Sequence, residues 1–61
     1  MKPVFSENGQ HVAWLLDNFI YNKNGQAIAF VSNGGIFSSE SGYIGQLEDG
    51  EALTWRTVHE N

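Results

Sequence analysis

The sequence has no cysteine, one proline and only three basic residues, Lys2, Lys23 and Arg56. Without cysteine there is neither a disulfide nor a thiolate metal ligand. Seven acidic residues outweigh the basic ones, and the formal charge is -4. That argues against a binder of duplex nucleic acid, which needs a basic stripe to displace counterions. A small anionic ligand is still allowed, because backbone N–H groups hold phosphate. No run of about 18 apolar residues occurs, so no transmembrane helix is expected. The start, "MKPVFSENG", lacks the apolar stretch of a signal peptide. A cytoplasmic protein is the expectation.

What is present is a short chain of 61 residues with 41% hydrophobic content. That content argues against disorder, and the length allows one domain. A domain this small buries only about 60% of the surface its unfolded chain exposes. Chains below roughly 70–80 residues usually need a staple, a metal or a partner subunit. With no cysteine, self-association is the expected remedy, and a homo-oligomer the expected state.

The chain repeats itself every sixteen residues. "NGQHVAWLLDN" (Asn8 to Asn18) returns as "NGQAIAFVSNG" (Asn24 to Gly34) and, more weakly, as "SGYIGQLEDG" (Ser41 to Gly50). Val4, Ile20, Ile36 and Ala52 form one column, and Ser6, Asn22, Ser38 and Thr54 another. Val12, Ile28 and Ile44 form a third, followed by Ala13, Ala29 and Gly45. The blocks run over about 4–19, 20–35, 36–51 and a truncated 52–61. Matches in this many columns without a gap mark a real internal repeat.

Each block carries two turn signals, "ENG" or "KNG" first and "DN", "NGG" or "DG" second. Asn-Gly supplies the positive φ angles of a type I′ hairpin turn. Between the turns lie short runs rich in Val, Ile, Phe, Tyr and Trp, which is strand chemistry. The runs predict an all-β fold: an antiparallel hairpin meander of about seven strands that closes into a small, shallow barrel, because closure removes exposed edges. Alternation puts His11, Ala13 and Leu15 on one face with Tyr43, Gly45 and Leu47. The small residues Ala13, Ala29 and Gly45 suit the narrow centre of a barrel or a close approach to a ligand. The fourth block has no turn residue where Trp55-Arg56-Thr57 stands. It predicts one longer strand over 52–60, closing the barrel against residues 4–6 or pairing with another subunit.

Catalytic chemistry finds little support. The acids cluster beside turns, where Asp and Glu are ordinarily solvated. The serines lack a nucleophile elbow, and "NGG" lacks the strand–loop–helix setting of a phosphate loop. His11 and His59 are three repeats apart, but the equivalent positions between them hold Ala27 and Tyr43, so no metal site is expected. The reading is a protein that is not an enzyme and carries no cofactor.

Aromatic residues give the better signal, at 13% of the chain. Trp55, Arg56 and Thr57 combine a stacking ring, the only arginine and a hydroxyl. Arginine pairs with phosphate through two hydrogen bonds, and rings stack on bases for about 1–3 kcal/mol each. Tyr43 and Trp14 are candidates to join them, and His11 and His59 complete the candidate ligand-binding set. The alternative is that Trp55 packs in the core and Arg56 pairs with an acid.

The tandem "N-G-x-x-[VI]-[AG]-[WF]" hairpins, from Pro3 to Gly50, resemble the four-fold β-flower proteins of bacteria and phages. That resemblance implies a shallow symmetric barrel with hairpins as petals. Size, aromatic content and self-association are also similar to phage anti-CBASS sponges, which assemble as tetramers and sequester cyclic dinucleotides such as 3′,3′-cGAMP. This implies a homotetrameric sponge in the host cytoplasm; phosphate would need Arg56 used repeatedly across subunits, or backbone donors. The scarcity of basic residues departs from that pattern. A second reading, from a different class, is an interaction module that binds a protein partner or lipid surface through an apolar β face.

Overall fold

The computed structural model describes residues 1–57. His59 and the end of the strand expected over 52–60 lie outside the described residues. Seven strands are present: β1 (Lys2–Ser6), β2 (His11–Leu16), β3 (Phe19–Tyr21), β4 (Ala27–Ser32), β5 (Gly35–Ser38), β6 (Gly42–Asp49) and β7 (Leu53–Thr57). They form one sheet in chain order that closes into a barrel. Neighbours along the meander are antiparallel, and the closing pair is parallel, with Val4 opposite Leu53 and Ser6 opposite Trp55. A meander with an odd number of strands must close this way, since its first and last strands run in the same direction. The expected seven-strand all-β barrel is thus the fold.

The repeat columns explain the core. Val4, Ala13, Ile20, Ala29, Ile36 and Leu53 are buried and touch one another. Gly45 is buried with them. Leu53 fills the place expected for Ala52, which is exposed. The last strand is therefore one residue out of step with the other three blocks. Fully burying a side chain such as Ile20 contributes about 1.5–3 kcal/mol, so a domain this small depends heavily on these few residues.

The turns differ from expectation. At the first signal of blocks one and two, three residues lie between the hydrogen-bonded pairs Ser6–Gln10 and Asn22–Gln26. Gly9 N–H donates to the Ser6 carbonyl at 2.9 Å, and Ser6 N–H donates to the Gln10 carbonyl at 2.7 Å. Gly9 and Gly25 have positive φ, at 85° and 86°, whereas Asn8 and Asn24 do not. This is the three-residue loop ending in a left-handed residue, not a type I′ turn. The two-residue turn with positive φ at both central positions occurs at Asn33 (51°) and Gly34 (81°). The polar column at 6, 22 and 38 holds the first loops. Asn22 Oδ1 accepts from the Asn24 and Gln26 amides, both at 3.0 Å, and Ser38 Oγ accepts from the Ser41 amide at 2.9 Å.

One feature recurs in the first hairpin of each repeat, β1–β2, β3–β4 and β5–β6, and breaks the two-residue period. Val4 pairs with Ala13 but Phe5 pairs with His11, so Val12 is an extra residue in β2. The same step skips Ile28 in β4 and Ile44 in β6. These are β-bulges, and each re-aims the residue that precedes it. The conserved-period reading put His11 and Tyr43 on the face of Ala13 and Gly45. The bulges instead set them opposite Phe5 and Phe37, on the outer face of the barrel.

Candidate functional site

The bulges assemble the outer surface. His11 lies 5.7 Å from Phe5 and 4.5 Å from Trp14 between ring centroids, the latter edge-to-face at 81°. The His11 Nε2 is 2.9 Å from the Ala13 carbonyl, which fixes the imidazole. In the third hairpin Tyr43 packs 5.4 Å from Phe37, and its hydroxyl donates to Gln46 Oε1 at 3.0 Å. The residue at 11 or 43 thus reaches along its own strand to hold the residue at 14 or 46. In the middle hairpin Ala27 is too short to do so. Phe30 there stacks on Phe37 across the strands, with centroids 5.7 Å apart and planes within 18°.

Together these rings make an arc over β2 to β5. No strand residue in these four elements is charged. Leu16, Phe19, Ile28 and Phe30 are each more than 40% exposed. Cross-strand pairing joins Trp14 to Tyr21, Leu16 to Phe19, Phe19 to Phe30 and Phe30 to Phe37. A contiguous apolar surface on a small protein is the feature that most often marks an interaction site.

The residues singled out at the break in the repeat do not form one cluster. Trp55 faces inward and packs against the core. Its ring explains why position 45 is glycine: a Cβ there would lie 2.6 Å from the indole Nε1 and 2.8 Å from the Arg56 carbonyl. Arg56 faces outward from the next position, with Nε 3.8 Å from Glu7 and Nη1 3.6 Å from Glu48. Thr57 is exposed. Trp55 and Arg56 therefore point to opposite faces of β7, and one ligand on the outer face meets Arg56 without the Trp55 ring. Trp14, His11 and Tyr43 do lie on the outer face, while His59 is outside the described residues. Phe5, Phe30 and Phe37 belong with them. They were left out of the candidate set, although the run of equivalent aromatics at 5, 21 and 37 is a signal in the repeat itself.

Among the described residues no group of three or more His, Asp or Glu side chains is placed to hold a metal. No helix is long and apolar enough to cross a membrane. A hollow of about 430 Å³ opens at the edge of the aromatic arc, lined by Met1, Trp14, Leu16, Tyr21 and the β3–β4 turn.

No curated protein and no solved structure matches the chain. The sequence model of a family described as "4-fold beta flower protein" matches residues 2–54, nearly the whole barrel. With its three bulged hairpins and seventh closing strand, the chain belongs to the 4-fold beta flower family.

Proposed function

We propose that this is a non-enzymatic binding protein, self-assembled, that holds a small planar ligand by ring stacking on its outer face. The observation that carries the reading is the uncharged aromatic arc over β2 to β5. In its sharpest form the protein is a phage sponge that sequesters cyclic dinucleotides such as 3′,3′-cGAMP and so silences CBASS signalling. Purine rings find stacking partners on the arc. Phosphate finds Arg56 only if that side chain leaves Glu7 and Glu48. The exchange is inexpensive, since exposed ion pairs are worth about 0–1 kcal/mol. Burial of the ligand between subunits, a tetramer in this reading, slows its release, as a sponge requires.

Thermal melting with a panel of cyclic dinucleotides tests this. A ligand at a hundred times its Kd stabilises by about 2.7 kcal/mol. In a domain of this size that raises the midpoint by about 10 °C or more. No shift with any member at high micromolar concentration sinks the sponge reading. A native mass measurement that finds only monomer removes the self-assembled part.

The exposure of Leu16, Phe19, Ile28 and Phe30 favours a second reading, an interaction module whose apolar β face binds a protein partner or lipid surface. Co-sedimentation with neutral and anionic vesicles separates the lipid case from the nucleotide one.

A further inference from the structure

The three hairpins share one bulged register, so each is a control for the others. Trp14 and Tyr21 are cross-strand partners on the outer face, as Phe30 and Phe37 are one repeat later. The second pair closes on itself by stacking at 5.7 Å. The first does not: His11 holds the Trp14 indole edge-on at 4.5 Å, and no contact between the Trp14 and Tyr21 rings occurs among the described residues. In that repeat both rings instead line the hollow of about 430 Å³. That is within the usual range for small-molecule sites, about 300–1,000 Å³.

Charge singles out the same place. Lys23 stands on the lip and is the one charged side chain among the lining residues. Among the described residues it makes no ion pair, whereas Arg56 has two carboxylates beside it. One repeat later, Ser39 and Glu40 stand where this lip has Lys23 and Asn24. In an acidic protein, an unpaired ammonium in a hollow with two aromatic side chains suits a negatively charged ligand with a flat ring.

We infer that the hollow between Trp14 and Tyr21 is a binding site for a planar aromatic ring carrying an anionic group, with Lys23 as its counter-charge. This rests on the stacking reading above but moves the site away from Trp55-Arg56-Thr57. His11 is then a positioning residue, which keeps the indole from collapsing onto Tyr21.

The chain has two tryptophans, one in the hollow and one in the core, so the indole N–H signals in a proton–nitrogen correlation spectrum report the two places separately. Guanosine 5′-monophosphate and 3′,3′-cGAMP are titrated first, then guanosine. Expected are shifts of the Trp14 indole and the Tyr21 and Lys23 amides, with Trp55 little changed. Lys23→Glu lies in an exposed turn and leaves the fold intact. It should weaken the two phosphate-bearing probes by about tenfold, the weight of one charge-assisted contact, and leave guanosine unaffected. Shifts centred on Arg56 and Thr57 with Trp14 unmoved would overturn this site while leaving the stacking reading in place. An equal loss of guanosine binding in Lys23→Glu would overturn the counter-charge role. No shift with any probe defeats the stacking reading, and this site with it.

Discussion

Two sectors of one barrel are built from the same repeat and present opposite surfaces. Over β2 to β5 the outward residues are rings and aliphatics, with no charge on any strand. On β6 and β7 the outer row passes to Gln46, Glu48 and Arg56. The inward residues hardly change across this boundary: Ile20 and Ala29 on one side, Val4, Leu53 and Gly45 on the other. The repeat is therefore preserved where the core needs it and released on the outer face. The contrast is strongest at position 14, 30 and 46, which reads Trp, Phe and Gln.

The harshest way to break the comparison is to attack the part the sectors share. Ile20→Ala, under the arc, and Leu53→Ala, under the charged sector, should each cost about 2–5 kcal/mol. At about 0.05–0.15 kcal/mol per residue, that is much of what a chain this short possesses. Urea denaturation measures both. Comparable losses mean one continuous core. A Leu53→Ala cost well under 1 kcal/mol would mean that β7 is a loosely attached strand and the charged sector a separate layer.

Next comes the column at 13, 29 and 45, where the sectors differ by a single methyl. Gly45→Ala should cost about 1–3 kcal/mol, because the new Cβ meets the Trp55 ring at 2.6 Å and the Arg56 carbonyl at 2.8 Å. The reverse change, Ala29→Gly, should cost about 0.5–1 kcal/mol through backbone entropy and lost packing. Trp55→Phe in the Gly45→Ala background should recover part of the first loss and none of the second, which a double-mutant cycle resolves. Only part is recoverable because the carbonyl stays where it is.

These positions also mark what was legible in the sequence. The columns at 4, 20 and 36 and at 13, 29 and 45 are the core because a repeated fold buries the same places each time. The turn residues likewise announced where the strands end. The bulges at Val12, Ile28 and Ile44 were not legible, since an inserted residue of ordinary β-forming type leaves no mark on composition. Their effect is large: they carry His11 and Tyr43 to the other face and so create the aromatic clusters. The one-residue slip that seats Leu53 in place of Ala52 was hidden for the same reason. Trp55 and Arg56 looked like neighbours because they adjoin in the chain, and strand alternation separates them.

A smaller effect sharpens the contrast on the outer face. Phe30→Ala removes the stack on Phe37, and the pair term alone is about 0.5–1.5 kcal/mol. Because Phe30 is 41% exposed, the remaining burial loss is modest. Gln46→Ala, the same position in the charged sector, loses a half-exposed hydrogen bond to Tyr43 and should cost about 0.5–1 kcal/mol. If both changes also leave ligand binding intact, the arc's rings serve packing. If Phe30→Ala alone weakens it, the site extends from the Trp14 hollow along the arc.

The smallest expected effect belongs to the residue that looked most functional. Arg56 is 59% exposed and sits 3.6 Å and 3.8 Å from its two carboxylates, both of which are also exposed. Solvent screening leaves such pairs about 0–1 kcal/mol, so Arg56→Ala should change stability by less than about 0.5 kcal/mol at moderate salt. The difference should shrink further in 0.5 M salt, at a Debye length of about 4 Å. A loss above about 2 kcal/mol would mean that Arg56 pins β7 to the loop carrying Glu7, and the sectors would then be joined by charge as well as by the core. A near-silent variant frees Arg56 for a different reading: with no structural duty, any loss of ligand affinity in Arg56→Ala is a direct contact. Comparing that loss with the one from Lys23→Glu assigns the anion to one sector or the other.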